Sequence, residues 1–168
     1  KDVPQSMVRP TDLGGSNMRK PKDRSFEQVV KALELNGHHS NWCVTAAVCL
    51  VSGLSAGKVV ALAKRHVDGF KLCHGMTIDQ ARALLEAIYG DDFVIRGGDF
   101  NTTNYSGKQF RTVVKELCEA GGRHIIVTMS KKSGHASAVR DGKLFDHYDA
   151  DQRQKVKYVI TVPGRAQA

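Results

Sequence analysis

The chain has 168 residues, of which 41% are hydrophobic, and it carries a formal net charge of +8 at pH 7. This length fits one domain that buries its own core without disulfide bonds. The longest apolar run, residues 43–51, is far shorter than the roughly 18 residues that cross a membrane, so the sequence argues against a membrane span.

Basic residues cluster near both ends of the chain, in the segment 19-RKPKDR-24 and again after residue 152. No helix-turn-helix, zinc-finger or aromatic-basic motif accompanies them, so a solvated surface is favoured over a nucleic-acid interface. An acidic partner surface, whether protein or nucleic acid, stays open, because such charge raises association rates.

The first half of the chain predicts an arm followed by helices. Residues 1–24 contain Pro, Gly, Ser and Lys without sustained periodicity, which indicates an extended basic arm ahead of a domain over residues 25–168. Start signals and apolar spacing then predict helices over residues 25–37 with Ser25 as N-cap, from Cys43 onward, over residues 55–66 and over residues 77–90.

The second half is rich in β-branched and alternating residues. The predicted strands cover residues 92–97, 124–130, 135–142, 143–148 and 155–162, and a helix over residues 106–120 interrupts them. The sequence therefore predicts an α+β fold of two layers, in which N-terminal helices pack against a C-terminal antiparallel sheet.

Cys43 follows the polar run 38-HHSNW-42 and precedes an apolar segment, which is typical of a helix N-terminus. Unpaired backbone N–H groups and the helix dipole stabilise an anion such as a thiolate there. Cys49 and Cys118 occupy apolar positions and are expected to be buried thiols. Cys73, beside a histidine, is also expected to be structural, but it is the cysteine to examine as a ligand or second thiol.

The hairpin over residues 135–148 supplies an imidazole and a carboxylate. Asp141-Gly142 predicts a two-residue turn that pairs position 140 with 143 and position 137 with 146. His135 therefore lies almost opposite Asp146, within reach across the ladder. A bulge would shift the register by one residue and bring Asp149 into competition with Asp146.

A cysteine, a histidine and a carboxylate in this arrangement are what a thiol hydrolase needs. The segments 41-NWCVTAAV-48 and 133-SGHASAVRDGKLFDHYD-149 resemble the nucleophile helix and the histidine hairpin of papain-like cysteine peptidases. The resemblance extends to compact members such as Josephin-type deubiquitinases, bacteriocin-leader peptidases and phage or viral peptidases. It implies a papain-like fold with Cys43 as nucleophile, His135 as general base and Asp146 as orienting acid.

The oxyanion hole departs from the pattern of that family, which usually has a Gln five or six residues before the nucleophile. This chain has His38 and Gly37 there, and its nearest amides are Asn36 and Asn41. Asn41, His38 and Asn36 are therefore the candidate donors, together with the backbone N–H of Cys43.

The resemblance implies cleavage of a peptide or isopeptide bond through a thioester, without a metal or organic cofactor. The expected partner is a protein or peptide substrate, such as a ubiquitin-like Gly-rich tail, a leader peptide or a polyprotein junction. The expected compartment is the cytoplasm, or the host cytoplasm for a viral protein. Amidase, deamidase or transglutaminase chemistry with the same triad is one alternative, and an inactive binding domain for an acidic partner is another.

Overall fold

The structure, a computed structural model, describes residues 26–98, 105–129, 134–146 and 153–166. The predicted arm over residues 1–24, the candidate cap Ser25 and the alternative acid Asp149 lie outside the described residues. The described elements follow the order α1 (Phe26–Leu35), α2 (Cys43–Ser52), α3 (Ala56–His66), α4 (Ile78–Tyr89), β1 (Val94–Gly97), α5 (Phe110–Ala120), β2 (Arg123–Met129), β3 (Gly134–Arg140), β4 (Lys143–Phe145) and β5 (Val156–Val162).

Local side-chain chemistry sets the ends of the middle helices. Ser55 caps α3, and its hydroxyl accepts the Lys58 N–H at 3.3 Å. Thr77 and Gln80 form a reciprocal capping box at the start of α4, which ends at Gly90. These starts confirm the sequence prediction, because each cap satisfies backbone donors that the first turn leaves unpaired.

The strands form an antiparallel sheet in the order β1-β5-β2-β3-β4, which confirms the predicted α+β class. The turn at Asp141-Gly142 gives the predicted pairs, with Arg140 opposite Lys143 and Ala138 opposite Phe145. Positive φ angles of 52° at Asp141 and 79° at Gly142 are the backbone conformation that this tight turn requires.

The expectation of two layers is wrong, because α5 adds a third layer. Alternate residues of β2 and β5 point to opposite faces of the sheet: Ile125 and Ile160 pack in the core with α1–α4, whereas Ile126 and Val159 pack against α5. Both faces of the central strands are therefore buried.

The predicted helix over residues 106–120 begins later than expected, at Phe110. The preceding residues are hydrogen-bonded to the start of β5: the Gly107 N–H donates to the Val156 carbonyl, and the Val156 N–H donates to the Lys108 carbonyl, both at 2.9 Å. Pairing with the sheet thus replaces the first helical turn.

No single helix within the described ranges has the length and apolarity to cross a membrane. The pair α2 and α3 passes that test jointly, by length and composition, with a bend of 116° between the two helices.

Candidate active site

Cys43 is the first residue of α2, as predicted, but the helix begins differently from the expected polar cap. Its N-cap is Trp42, whose ring packs against Phe26 with ring centres 5.5 Å apart. Among the described residues no side chain caps this helix. The backbone N–H groups of the first turn are therefore left to stabilise negative charge beside the Cys43 sulfur.

His135 and Asp146 meet across the hairpin, as the turn register predicts. His135 Nε2 lies 2.6 Å from Asp146 Oδ1, and the Asp146 side chain is only 5% exposed. The Cys43 thiol lies beside His135, where it helps to raise the pKa of the imidazole, and both side chains line one pocket. The structure thus brings together all three residues of the predicted triad, with the imidazole between the thiol and the carboxylate.

The hydrogen bond to Asp146 raises the pKa of His135 to about 9, with a further contribution from the neighbouring Cys43 thiol and an opposing one from burial. An imidazole with this pKa is protonated at neutral pH. The site therefore places a cation beside a thiol at a helix N-terminus.

Ser137 is a site residue that the sequence analysis missed. Its hydroxyl donates to Asp146 Oδ2 at 2.6 Å, and its side chain is fully buried. Strand alternation places His135 and Ser137 on the same face of β3, so both oxygens of Asp146 are engaged from one strand. The predicted pairing of positions 137 and 146 was the signal that could have identified it.

The three oxyanion-hole candidates occupy different places. Asn41 lies in the loop before Cys43 and lines the pocket that also holds Cys43 and His135. Its side-chain amide donates to the Cys73 carbonyl at 2.9 Å. Asn36 does not line that pocket: its side chain donates to the Ala32 carbonyl at 2.8 Å and lines a separate hollow beside α3.

His38 is buried, and its Nδ1 accepts the Cys73 N–H at 3.2 Å. Burial lowers the pKa of His38, which keeps its ring neutral. His38 therefore holds the loop before Cys43 by accepting a hydrogen bond at Nδ1. This contact differs from the donor role that was predicted for His38 in an oxyanion hole.

Cys73 holds the same loop from the other side. Its φ angle is +63°, and its sulfur accepts the His39 N–H at 3.2 Å. This hydrogen bond lowers the pKa of the Cys73 thiol. Cys73 is therefore a second half-exposed thiol near the candidate site, but its sulfur is held by backbone groups.

No group of three or more His, Cys, Asp or Glu side chains in the described residues is arranged to hold a metal ion.

Two arginines from the sheet reach the far end of α2. Arg123 donates to the Val51 carbonyl at 2.8 Å and Arg140 to the Leu50 carbonyl at 3.0 Å. The Arg140 guanidinium also lies 4.7 Å from the ring centre of Phe145, the residue before Asp146. These contacts satisfy helix carbonyls that would otherwise lack donors, and they connect α2, which begins with Cys43, to β2 and to β3, which carries His135.

A pocket of about 430 Å³ opens beside Cys43 and His135. Exposed residues form its mouth: Asn41, Gly75, Thr77, Met129 and Gly134. Buried residues form its floor: Ala81, Ile125, Ala136, Tyr158 and Ile160. The thiol thus lies at the wall of an open cavity with an apolar floor, where a substrate can reach it.

Comparison with known proteins does not assign the chain to a family. No protein-family model and no solved structure matches it. Among curated proteins, the chain is 36% identical over 66 residues to the imidazole glycerol phosphate synthase subunit HisF of Campylobacter lari. That alignment covers 39% of this chain and 22% of HisF, so the chain spans about a fifth of the relative that it matches.

Proposed function

We propose that the chain is a cysteine peptidase of the papain-like type, with Cys43 as nucleophile, His135 as acid and base, and Asp146 as the orienting carboxylate. The observation that carries the proposal is the imidazole of His135, hydrogen-bonded to the Asp146 carboxylate at 2.6 Å and lying beside the Cys43 thiol at the wall of an open pocket. The substrate is a protein or peptide that presents an amide or isopeptide bond.

The proposed reaction is acyl transfer. The Cys43 thiolate adds to the carbonyl carbon, and the resulting oxyanion accepts hydrogen bonds from the first-turn backbone of α2, with Asn41 as side-chain candidate. Protonated His135 gives its proton to the leaving amine as the carbon–nitrogen bond breaks, which leaves a thioester. Neutral His135 then takes a proton from water, and the resulting hydroxide adds to the thioester carbon; the carbon–sulfur bond breaks, which releases the acid product and restores the Cys43 thiolate beside protonated His135.

Asp146 and Ser137 serve the same mechanism by positioning. Asp146 holds one imidazole nitrogen and stabilises the imidazolium, which leaves the other nitrogen for the thiol. Ser137 fixes the second oxygen of the same carboxylate. A papain-like fold is proposed on the same ground, because a nucleophile at a helix start faces a histidine on an antiparallel sheet.

The experiment that tests the proposal is competitive labelling of the four cysteines with iodoacetamide near pH 7, followed by peptide mapping. Cys43 is expected to react first, since it combines a helix N-terminus with an imidazolium. Cys73 is expected second, because its pKa is lowered. Cys118, whose pKa is raised by burial, and the buried Cys49 are expected to react last.

The same preparation should form one covalent adduct with a peptide vinyl sulfone, seen as a shift in intact mass and located at Cys43. Cys73→Ser is the matched control, because it removes a half-exposed thiol whose pKa is lowered, and it should leave the adduct unchanged. Labelling of Cys73 in preference to Cys43, or an adduct that persists in Cys43→Ala, would refute the proposed nucleophile.

A further inference from the structure

The cavity beside Cys43 differs from the narrow cleft that a Gly-rich tail would require. Its volume of about 430 Å³ lies within the range of roughly 300–1,000 Å³ that ligand pockets occupy. Small side chains create the space between α4 and the sheet, since Ala81 and Ala136 face it where larger residues would fill it. A Gly-Gly segment would leave this apolar floor in contact with water.

The described lining of the cavity includes a lysine but no carboxylate. Lys157 lines the pocket and lies with its ammonium group 5.3 Å from the ring centre of Tyr158, a floor residue. The other ionisable groups at the wall are His135 and the Cys43 thiol, and no Asp or Glu is among the described lining residues. The pocket is therefore apolar at its floor and cationic at one side.

We propose, resting on the proposed peptidase function, that this cavity is a specificity pocket for a peptide segment with a large apolar side chain next to an acidic residue. The apolar side chain contacts the floor at Ile125, Tyr158 and Ile160, and the neighbouring carboxylate contacts the Lys157 ammonium. The net charge of +8 acts in the same direction, because it attracts acidic segments over a longer range.

Profiling with a proteome-derived peptide library tests the pocket, with cleavage sites read by mass spectrometry. Leu, Ile, Met or Phe should be enriched at one fixed position beside the cleaved bond, with Asp or Glu next to it. Replacing the apolar residue of the best peptide by Gly should lower its cleavage rate about tenfold or more, because pockets distinguish single methylenes by roughly 10–200-fold. Preference for Gly at that position, or a flat profile, would overturn the proposal.

Charge reversal tests the cationic side. Lys157→Glu should change the preference between otherwise identical Asp and Lys peptides by about fivefold toward Lys, as expected for a partly exposed ion pair. Lys155→Glu is the matched control, because it makes the same change two residues away, at an exposed position that does not line the pocket. Equal effects of the two variants would show that general surface charge, and not the pocket, selects acidic segments.

Filling the cavity tests the apolar floor. Ala81→Leu should shift the preference from Leu or Phe toward Ala, and Ile78→Trp, at a half-buried lining position, repeats the test if the first variant does not fold. An octanoylated Gly-Gly peptide serves as a competitor of different chemistry. If it is cleaved faster than the apolar–acidic peptide, an acyl chain is the occupant and the proposal fails.

Binding to the Cys43→Ala variant separates failure of the pocket from failure of the peptidase. A fluorescein-labelled peptide containing Leu-Asp should bind this variant, measured by polarisation, and Lys157→Glu should weaken that binding about fivefold. Lys157-dependent binding without turnover in the wild type would refute catalysis and retain the pocket. Turnover without side-chain preference would refute the pocket and retain catalysis.

Discussion

Two cysteine–histidine pairs lie close to each other in this molecule, and they differ in what their hydrogen bonds connect. In the first, the His135 side chain joins the Cys43 thiol to the Asp146 carboxylate. In the second, the His38 ring accepts the backbone N–H of Cys73, while the Cys73 sulfur accepts a backbone N–H in turn. The first pair thus links side chains to one another, whereas backbone partners in the second pair form a clasp between two loops.

The two histidines consequently differ in charge. A carboxylate raises the pKa of His135 to about 9, so its ring is a cation at neutral pH. Burial lowers the pKa of His38, so its ring is neutral. The charged His135 ring and the neutral His38 ring make separate hydrogen bonds, so a substitution of either histidine should disrupt its own pair and leave the other intact.

The largest expected effect comes from replacing each histidine by alanine. His135→Ala should lower peptide turnover by about 10³-fold with little loss of stability, because it removes the acid and base. His38→Ala should instead lower the free energy of unfolding by about 2–4 kcal/mol, since it leaves a cavity and an unpaired Cys73 N–H. Turnover and thermal melting of both variants decide between the roles. A folded His38→Ala variant that is as inactive as His135→Ala would break the comparison and restore His38 as an oxyanion donor.

A smaller effect is expected from the groups that hold the His135 ring. Asp146→Ala should lower turnover by about 10²-fold or more, because the ring loses the acceptor at 2.6 Å that orients it. Asp146→Asn should retain more activity if orientation matters more than charge. Ser137→Ala should cost about tenfold and leave substrate KM unchanged, since Ser137 contacts only the far oxygen of the carboxylate.

Asp149→Ala is the control for that series, and it should turn over peptide at the rate of the wild type. Near-normal turnover in Asp146→Ala together with a large loss in Asp149→Ala would assign the orienting role to the other carboxylate. Steady-state kinetics at pH 7 on variants with matched melting temperatures provides the measurement.

The smallest expected effect is the pH dependence of stability, which should have opposite signs for the two histidines. The raised pKa of His135 contributes stability that is fully present below pH 6.5 and is lost as the pH rises through about 9. The lowered pKa of His38 favours unfolding as the pH falls below 6.5, because the unfolded ring binds a proton that the buried ring resists. The contribution of His135 should change Tm by several degrees in a domain of this size.

Thermal melts between pH 4.5 and pH 10 would resolve the two contributions. The alkaline decline should shrink in His135→Gln and persist in His38→Gln, whereas the acid decline should shrink in His38→Gln. Identical pH profiles for the wild type and both variants would show that neither ring carries the charge assigned to it here.

Local chemistry made much of the candidate site predictable from the sequence. The Asp141-Gly142 turn has few compatible geometries, so counting outward from it placed Asp146 beside His135 correctly. The caps at Ser55 and Thr77 likewise determined two helix starts. Such features depend on neighbouring residues, and the sequence displays those neighbours directly.

The features of the fold and of the candidate site that the sequence did not predict depend on contacts between residues far apart in the chain. The Cys73 clasp joins residues 34 and 35 positions apart, and the arginine contacts to α2 join residues 72 and 90 positions apart. No periodicity or turn signal specifies such contacts, because they follow from the order and packing of the layers. The third layer was missed for the same reason, since the helical pattern of α5 does not state which face of the sheet it covers.

The hydrogen bond from Arg140 to the Leu50 carbonyl connects α2 and β3 at the ends that lie away from Cys43 and His135. The seven steps from Cys43 to Leu50 in α2 span about 10 Å at a rise of 1.5 Å each. The five steps from His135 to Arg140 span roughly 17 Å at about 3.3 Å each. Because the contact between Arg140 and Leu50 fixes one end of each element, the other ends hold the thiol and the imidazole in place relative to each other. The alignment of the reactive atoms is therefore set at the opposite end of the domain, where no reacting group lies.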